Sequence, residues 1–114
     1  TTVAHDSHYA IVAGTNDDDI ALTINSIRKM KGGKIVVKNG KVIESLPLPI
    51  ANLMTDDDPM NVIESMEKMK KATGITNDGI DPFMTLSFTS LAVIGDVRLL
   101  PGGVFDVKNW CFKK

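Results

Sequence analysis

Lys34-Ile35-Val36-Val37-Lys38-Asn39-Gly40-Lys41-Val42-Ile43-Glu44-Ser45 is the segment from which the architecture can be built outward. Two β-favouring runs flank Asn39-Gly40, the residue pair that best tolerates the two positive φ angles of a type I′ turn. The segment therefore predicts an antiparallel hairpin with Val37 opposite Val42 and Val36 opposite Ile43. Lys38 then opposes Lys41, a mild cost that suits only an exposed tip. A helix is expected before the hairpin. Thr15-Asn16 supply capping side chains, and Asp17, Asp18 and Asp19 complement the positive end of the helix dipole. Ile20, Ile24 and Ile27 recur at helical spacing, Arg28, Lys29 and Lys31 crowd the last turn, and Gly32 is the expected left-handed cap. Upstream, Tyr9 to Ala13 reads as a short buried strand ending at Gly14.

After the hairpin, Leu46-Pro47-Leu48-Pro49-Ile50 lacks two backbone donors. It is expected as an extended connection or a sheet edge packed by its leucines. Asp58 and Pro59 start a second helix with a stripe of Val62, Ile63, Met66 and Met69, and Gly74 ends it. Asp81-Pro82 suits a third, short helix, yet Met84, Leu86 and Phe88 alternate with Thr85, Ser87 and Thr89 as a strand would. Period alone leaves Phe83 to Ile94 open between helix and strand. Val97 to Leu100 and Val104 to Val107 flank a Pro101-Gly102-Gly103 turn and suggest a last extended pair. The expected fold class is α+β, with a small mixed or antiparallel sheet and two principal helices packed on one face.

The chain has 114 residues, which predicts a single domain over 1–114. Hydrophobic residues are 43% and charged residues 24%, values that argue against disorder. A net charge of −1 gives no electrostatic case for nucleic acid or an anionic membrane. No apolar stretch is long enough for a membrane span, and no signal peptide is evident. The single cysteine, Cys111, forms no intramolecular disulfide, which favours a reducing, cytoplasmic setting. The start at Thr1 fits a piece of something longer, or N-terminal processing.

Both histidines fall in His5-Asp6-Ser7-His8. Two imidazoles and a carboxylate so close together suit proton transfer, hydrogen bonding to a heterocycle, or metal ligation. The same residues also suit a polar lead-in to a strand, with an Asx-type turn at Asp6 or Ser7. With two histidines and one cysteine, the chain cannot build a His-rich binuclear site or a Cys-based zinc site of its own. The aspartate triplets, Asp17 to Asp19 and Asp56 to Asp58, lack the layout of a calcium loop and read as helix starts. Met54, Met60, Met66, Met69 and Met84 are expected to fill the core of an aromatic-poor chain. Cys111, beside Trp110 and Phe112, is expected as a packed small hydrophobe.

The run Val3-Ala4-His5-Asp6-Ser7-His8 with Gly14-Thr15-Asn16-Asp17 resembles the start of the C-terminal domain of adenine deaminases, in the amidohydrolase superfamily. The resemblance continues through Gly33 to Val37, Asn39-Gly40-Lys41-Val42, Leu46 to Ala51 and Leu53-Met54. It resumes at Asp81-Pro82-Phe83-Met84-Thr85-Leu86-Ser87-Phe88 and ends at Gly103 to Val107, so it spans nearly the whole chain in order. Tyr9 departs from the family, which has Asn after the second His, and the loop between the helices carries more aspartate.

The resemblance implies hydrolysis of adenine to hypoxanthine and ammonia by a metal-activated water, with manganese or iron as the metal. It places the metal ligands in a preceding (β/α)8 barrel that is absent from this chain, so no metal site is expected within it and the isolated fragment is expected to be inactive. His5, Asp6 and His8 are the candidates to assist that site by orienting the purine, shuttling a proton or supporting the metal shell. Ser7 is a further candidate for substrate contact. Adenine and the barrel are the implied partners, with a homo-oligomer also open. The competing reading is a non-catalytic structural or oligomerisation domain, for which Phe83 to Ile94 would supply a buried surface.

Overall fold

The computed structural model describes residues 1–6, 8–75 and 79–113. Helix α1, Asp17–Met30, starts where expected. Asn16 is extended, its side-chain oxygen accepts the Asp19 N–H at 2.8 Å, and its amide donates to the Asp19 carboxylate at 3.1 Å. At the other end, Lys31 and not Gly32 takes the left-handed position. The Lys31 N–H reaches the Arg28 carbonyl and the Gly32 N–H reaches the Ile27 carbonyl, closing the last turn. The glycines are needed for the step after it. Gly32 and Gly33 both have positive φ, and a side chain on Gly33 would run into the Leu46 carbonyl oxygen.

Strands β1, Gly33–Lys38, and β2, Lys41–Pro47, form the antiparallel hairpin. Asn39 and Gly40 both have positive φ, as the turn requires. Val37 pairs with Val42 and Lys38 with Lys41, as expected. Val36, however, pairs with Glu44 and not Ile43, because a bulge interrupts the register there. The slip has a packing reason. A shift of one residue moves later side chains to the other face. It sets Leu46 opposite Lys34, on the face of Val36, where both join the core, and it leaves Ile43 exposed.

That core is Leu46, Leu48 and Met69, with Val3, Val36, Val62 and Phe83 packed against it. Leu48 sits between two prolines and ties its N–H to the Gly32 carbonyl at 3.1 Å. Met69 comes from α2, Pro59–Ala72, which begins with Asp58 accepting the Met60 N–H and with Pro59 in its first turn. α1 packs mainly on β1 and α2 mainly on β2. Ile35 is also buried and alternates to the face opposite Val36, so the hairpin is covered on both sides.

The C-terminal part resolves the open stretch as helical through Ser90, with Leu91 to Ile94 in neither helix nor strand. α3, Pro82–Ser87, is capped by Asp81, whose carboxylate accepts the N–H groups of Phe83 and Met84. A 3-10 turn over Phe88–Ser90 continues it. Strands β3, Val97–Leu100, β4, Gly103–Asp106, and β5, Cys111–Phe112, then form a second antiparallel sheet. The fold is α+β, as expected, but its strands divide into two small sheets.

Four local expectations are corrected. Tyr9 to Ala13 is not a strand: Thr1 and Ile11 exchange backbone hydrogen bonds, but the pairing stops there and Tyr9 and Ala13 are exposed. The methionines do not fill the core, since Met54, Met60, Met66 and Met84 are exposed and only Met69 of that set is buried. Ile63 of the α2 stripe is exposed too. Cys111 lies exposed on a two-residue strand.

Candidate functional site

The segment before the histidine motif is held at several points. The Thr2 N–H donates to the Gly33 carbonyl at 2.9 Å, and the Gly33 N–H donates back to Thr2 Oγ1 at 2.8 Å. Thr2 Oγ1 in turn donates to the Asn52 carbonyl at 2.7 Å. Ala4 is buried. This anchors the chain at the base of the hairpin and delivers His5 to the end of α3.

There His5 is half-buried, and its ring lies against that of Phe88, with centroids 4.1 Å apart and planes 25° apart. His5 Nδ1 lies 2.7 Å from Ser87 Oγ. Ser87 is 2% exposed, and its hydroxyl donates to the Met84 carbonyl at 2.6 Å. The imidazole is thus gripped by an aromatic face and a buried hydroxyl from a segment 82 residues away. Asp6 and His8 are exposed, and both adopt positive φ, a conformation few non-glycine residues hold without reason. Ser7 lies outside the described residues.

Asp6 opens onto a cleft of about 400 Å³ lined also by Tyr9, Leu91, Leu100 and Phe112. It is the one charged side chain among the described residues lining that cleft. A carboxylate in the lining of a largely apolar cleft is suited to accept from N–H donors of a flat, polar-edged molecule. His5 and Asp6 therefore approach the same α3-end region, while His8 projects from the surface.

The other singled-out residues have structural work. Asp19 accepts the N–H groups of Asn39 and Gly40, fastening α1 to the hairpin tip. The Asn16 amide and these N–H groups hold its carboxyl below the ordinary value. Asp57 accepts the Asp58 N–H and the Asn61 amide. Among the described residues no group of three or more His, Cys, Asp or Glu is placed to hold a metal ion. His5 Nδ1 is already engaged by Ser87.

Sequence reasoning missed Ser87 and Phe88 as companions of His5. A strand would have put Ser87 on the outer face with Thr85 and Thr89, whereas the helix turns it inward.

The model of the adenine deaminase C-terminal domain matches residues 1–111. The chain belongs to this family. It is 41% identical over 112 residues to an adenine deaminase of Bacillus subtilis, covering 96% of this chain and 19% of that protein. An adenine deaminase of Geobacillus kaustophilus is 43% identical over 114 residues, covering 98% of this chain and 20% of the relative. One from Bacillus pumilus is 46% identical over 112 residues, covering 96% and 19%. The domain thus spans about a fifth of the length of these curated relatives.

Proposed function

We propose that this domain serves, within a longer protein, the hydrolysis of adenine to hypoxanthine and ammonia. The observation that carries the reading is the match over essentially the whole chain to adenine deaminases five times its length. In this proposal the other four-fifths include the barrel that carries out the chemistry, in the cytoplasm and in purine catabolism. Manganese or iron, the metals implied by the resemblance, belong to that barrel. Within this reading, His5, Asp6 and His8 orient the purine, shuttle a proton or support the metal shell of the barrel.

His5 is the lead candidate for that part, because its ring is held in one place and one orientation by Ser87 and Phe88. Asp6 would accept from purine N–H groups in the cleft that it helps to line. His8, which is exposed, is the weakest of the three. The test is His5→Ala, Asp6→Ala and His8→Ala in the full-length enzyme, with kcat/KM read from ammonia release. A residue acting in general acid–base catalysis costs about 2–4 kcal/mol of transition-state stabilisation when removed. The expected outcome is a loss of that order for His5→Ala, a smaller loss for Asp6→Ala and little change for His8→Ala. Wild-type kcat/KM in all three would reject the site role and leave a structural or oligomerisation domain. The isolated 114-residue chain is expected to release no ammonia from adenine.

A further inference from the structure

We propose that the segment immediately preceding Thr1 in the longer protein is a β-strand that pairs antiparallel with residues 11–13. There it clamps the base of the loop that carries His5, Asp6 and His8. The proposal rests on membership of a family whose proteins are about five times the length of this C-terminal domain, not on the reaction proposed above.

The ladder has already begun. The Thr1 nitrogen donates to the Ile11 carbonyl at 3.0 Å, and the Ile11 N–H donates back to the Thr1 carbonyl at 2.8 Å. Two residues exchange both bonds only in an antiparallel ladder. The next residue faces the other way, since the Thr2 N–H reaches the Gly33 carbonyl at the start of β1. Thr1 and Thr2 therefore stand as the end of a strand with a neighbour on each side.

Toward the histidine motif this ladder stops. Its next hydrogen-bonded pair would be Val3 with Tyr9, but the Val3 N–H is taken by Thr1 Oγ1 at 3.0 Å. Asp6 and His8 then leave the extended region with positive φ. In the other direction the next such pair joins Ala13 to the second residue before Thr1. Among the described residues none is hydrogen-bonded to the Ala13 N–H or carbonyl. Tyr9-Ala10-Ile11-Val12-Ala13 is rich in β-favouring side chains, yet it is paired only at Ile11. The neighbour it lacks lies upstream.

Burial points the same way. Thr1 is 3% exposed, so its terminal ammonium sits where a charge is poorly solvated. Burial first, and Lys34 second, lower its pKa from the ordinary 8.0 to about 6. A neutral peptide N–H makes the same bond to Ile11 without that cost. The Thr1–Ile11 pair also closes the loop from Thr2 to Ala10, which holds both histidines. A strand continuing from this pair ties the loop to the rest of the protein.

In the register set by Thr1 and Ile11, the residue immediately before Thr1 stands opposite Val12 in a non-hydrogen-bonded pair. The two Cα atoms are then about 4.5 Å apart, within reach of a disulfide. The experiment places a cysteine at that residue together with Val12→Cys in the full-length protein, with Cys111→Ser to remove the exposed native thiol. Peptide mapping after mild oxidation is expected to find the two joined in most molecules. Ala10→Cys in place of Val12→Cys stands diagonally, about 7–8 Å away, and is expected to give about tenfold less of the bridge. Amide exchange in the unaltered full-length protein is a second readout, independent of whether the variants fold. The Ala13 N–H, facing the strand, is expected to exchange about tenfold more slowly than the Val12 N–H, which faces away. Equal bridging from Val12 and Ala10, no bridge from Val12 in folded protein, or equal exchange at Val12 and Ala13 would each overturn the proposal. Neither readout uses adenine, so failure here leaves the proposed reaction standing, and failure of that reaction leaves the strand standing.

Discussion

Asp106 is a carboxylate whose value to the fold depends on its ionised state. It sits at the end of β4, 6% exposed, and accepts from Lys113 Nζ at 2.7 Å and from the side-chain and backbone N–H groups of Asn109 at 3.0 and 2.9 Å. Lys113 first, and then Asn109, holds its carboxyl well below the ordinary value of 3.8. The folded state therefore binds fewer protons than the unfolded state in acid. Its stabilisation is full above the unfolded value and is lost as pH falls toward the folded one. Asp106→Asn is expected to lower Tm near neutral pH. The gap from wild type should narrow as pH drops below 3.8, and calorimetric melts across that range would check it. A gap independent of pH would mean that packing, not charge, makes the contribution. His5 teaches a related lesson at the same scale. The sequence marked it as a candidate for proton transfer, but its structural partner was not legible, because Ser87 is remote in sequence and looks like any polar helix or strand residue.

The hairpin shows how one element settles another. Its turn, its strands and two of its pairs follow from Asn39-Gly40 and the flanking β-branched residues. The bulge does not, because its cause is the demand of α2 for Leu46 on the same face as Val36. Met69 completes that contact and is fully buried. Met69→Ala is expected to cost about 2–5 kcal/mol, from lost transfer energy and the cavity left behind. Urea unfolding would check this; a cost below about 1 kcal/mol would show that the surrounding chains collapse into the space. In α3 the Asp81-Pro82 start signal prevailed over the strand-like alternation after it. Capping acts locally, whereas alternation has force only where a neighbouring strand is present to pair.

At the scale of the whole molecule the chain is more open than its mass predicts. A self-contained 12.4 kDa monomer would expose about 6,100 Å². This one exposes 7635 Å², and its radius of gyration of 14.7 Å exceeds the roughly 13 Å usual for the length. Much of the exposed surface is apolar: Met54, Met60, Ile63, Met84, Val93, Leu99 and Trp110 are each more than half exposed. This is the physical form of the proposal that the domain works within a larger protein, where such surface is covered. The isolated chain is expected to bind a hydrophobic dye and to melt at a lower temperature than the same domain in the full-length enzyme. Equal melting temperatures without dye binding would count against cover by the rest of the protein.

The sequence by itself determined the two principal helices, the side-chain caps that start them, the hairpin turn, the α+β class and the family. Each rests on signals carried by residues close together in the chain, or on motifs that recur in order along it. Only the tertiary structure decided the bulge, the division into two sheets, the exposure of the methionines and the seating of His5 on Ser87 and Phe88. These depend on which distant segments meet. Periodicity records that a face is apolar, but what covers that face is fixed by packing in three dimensions.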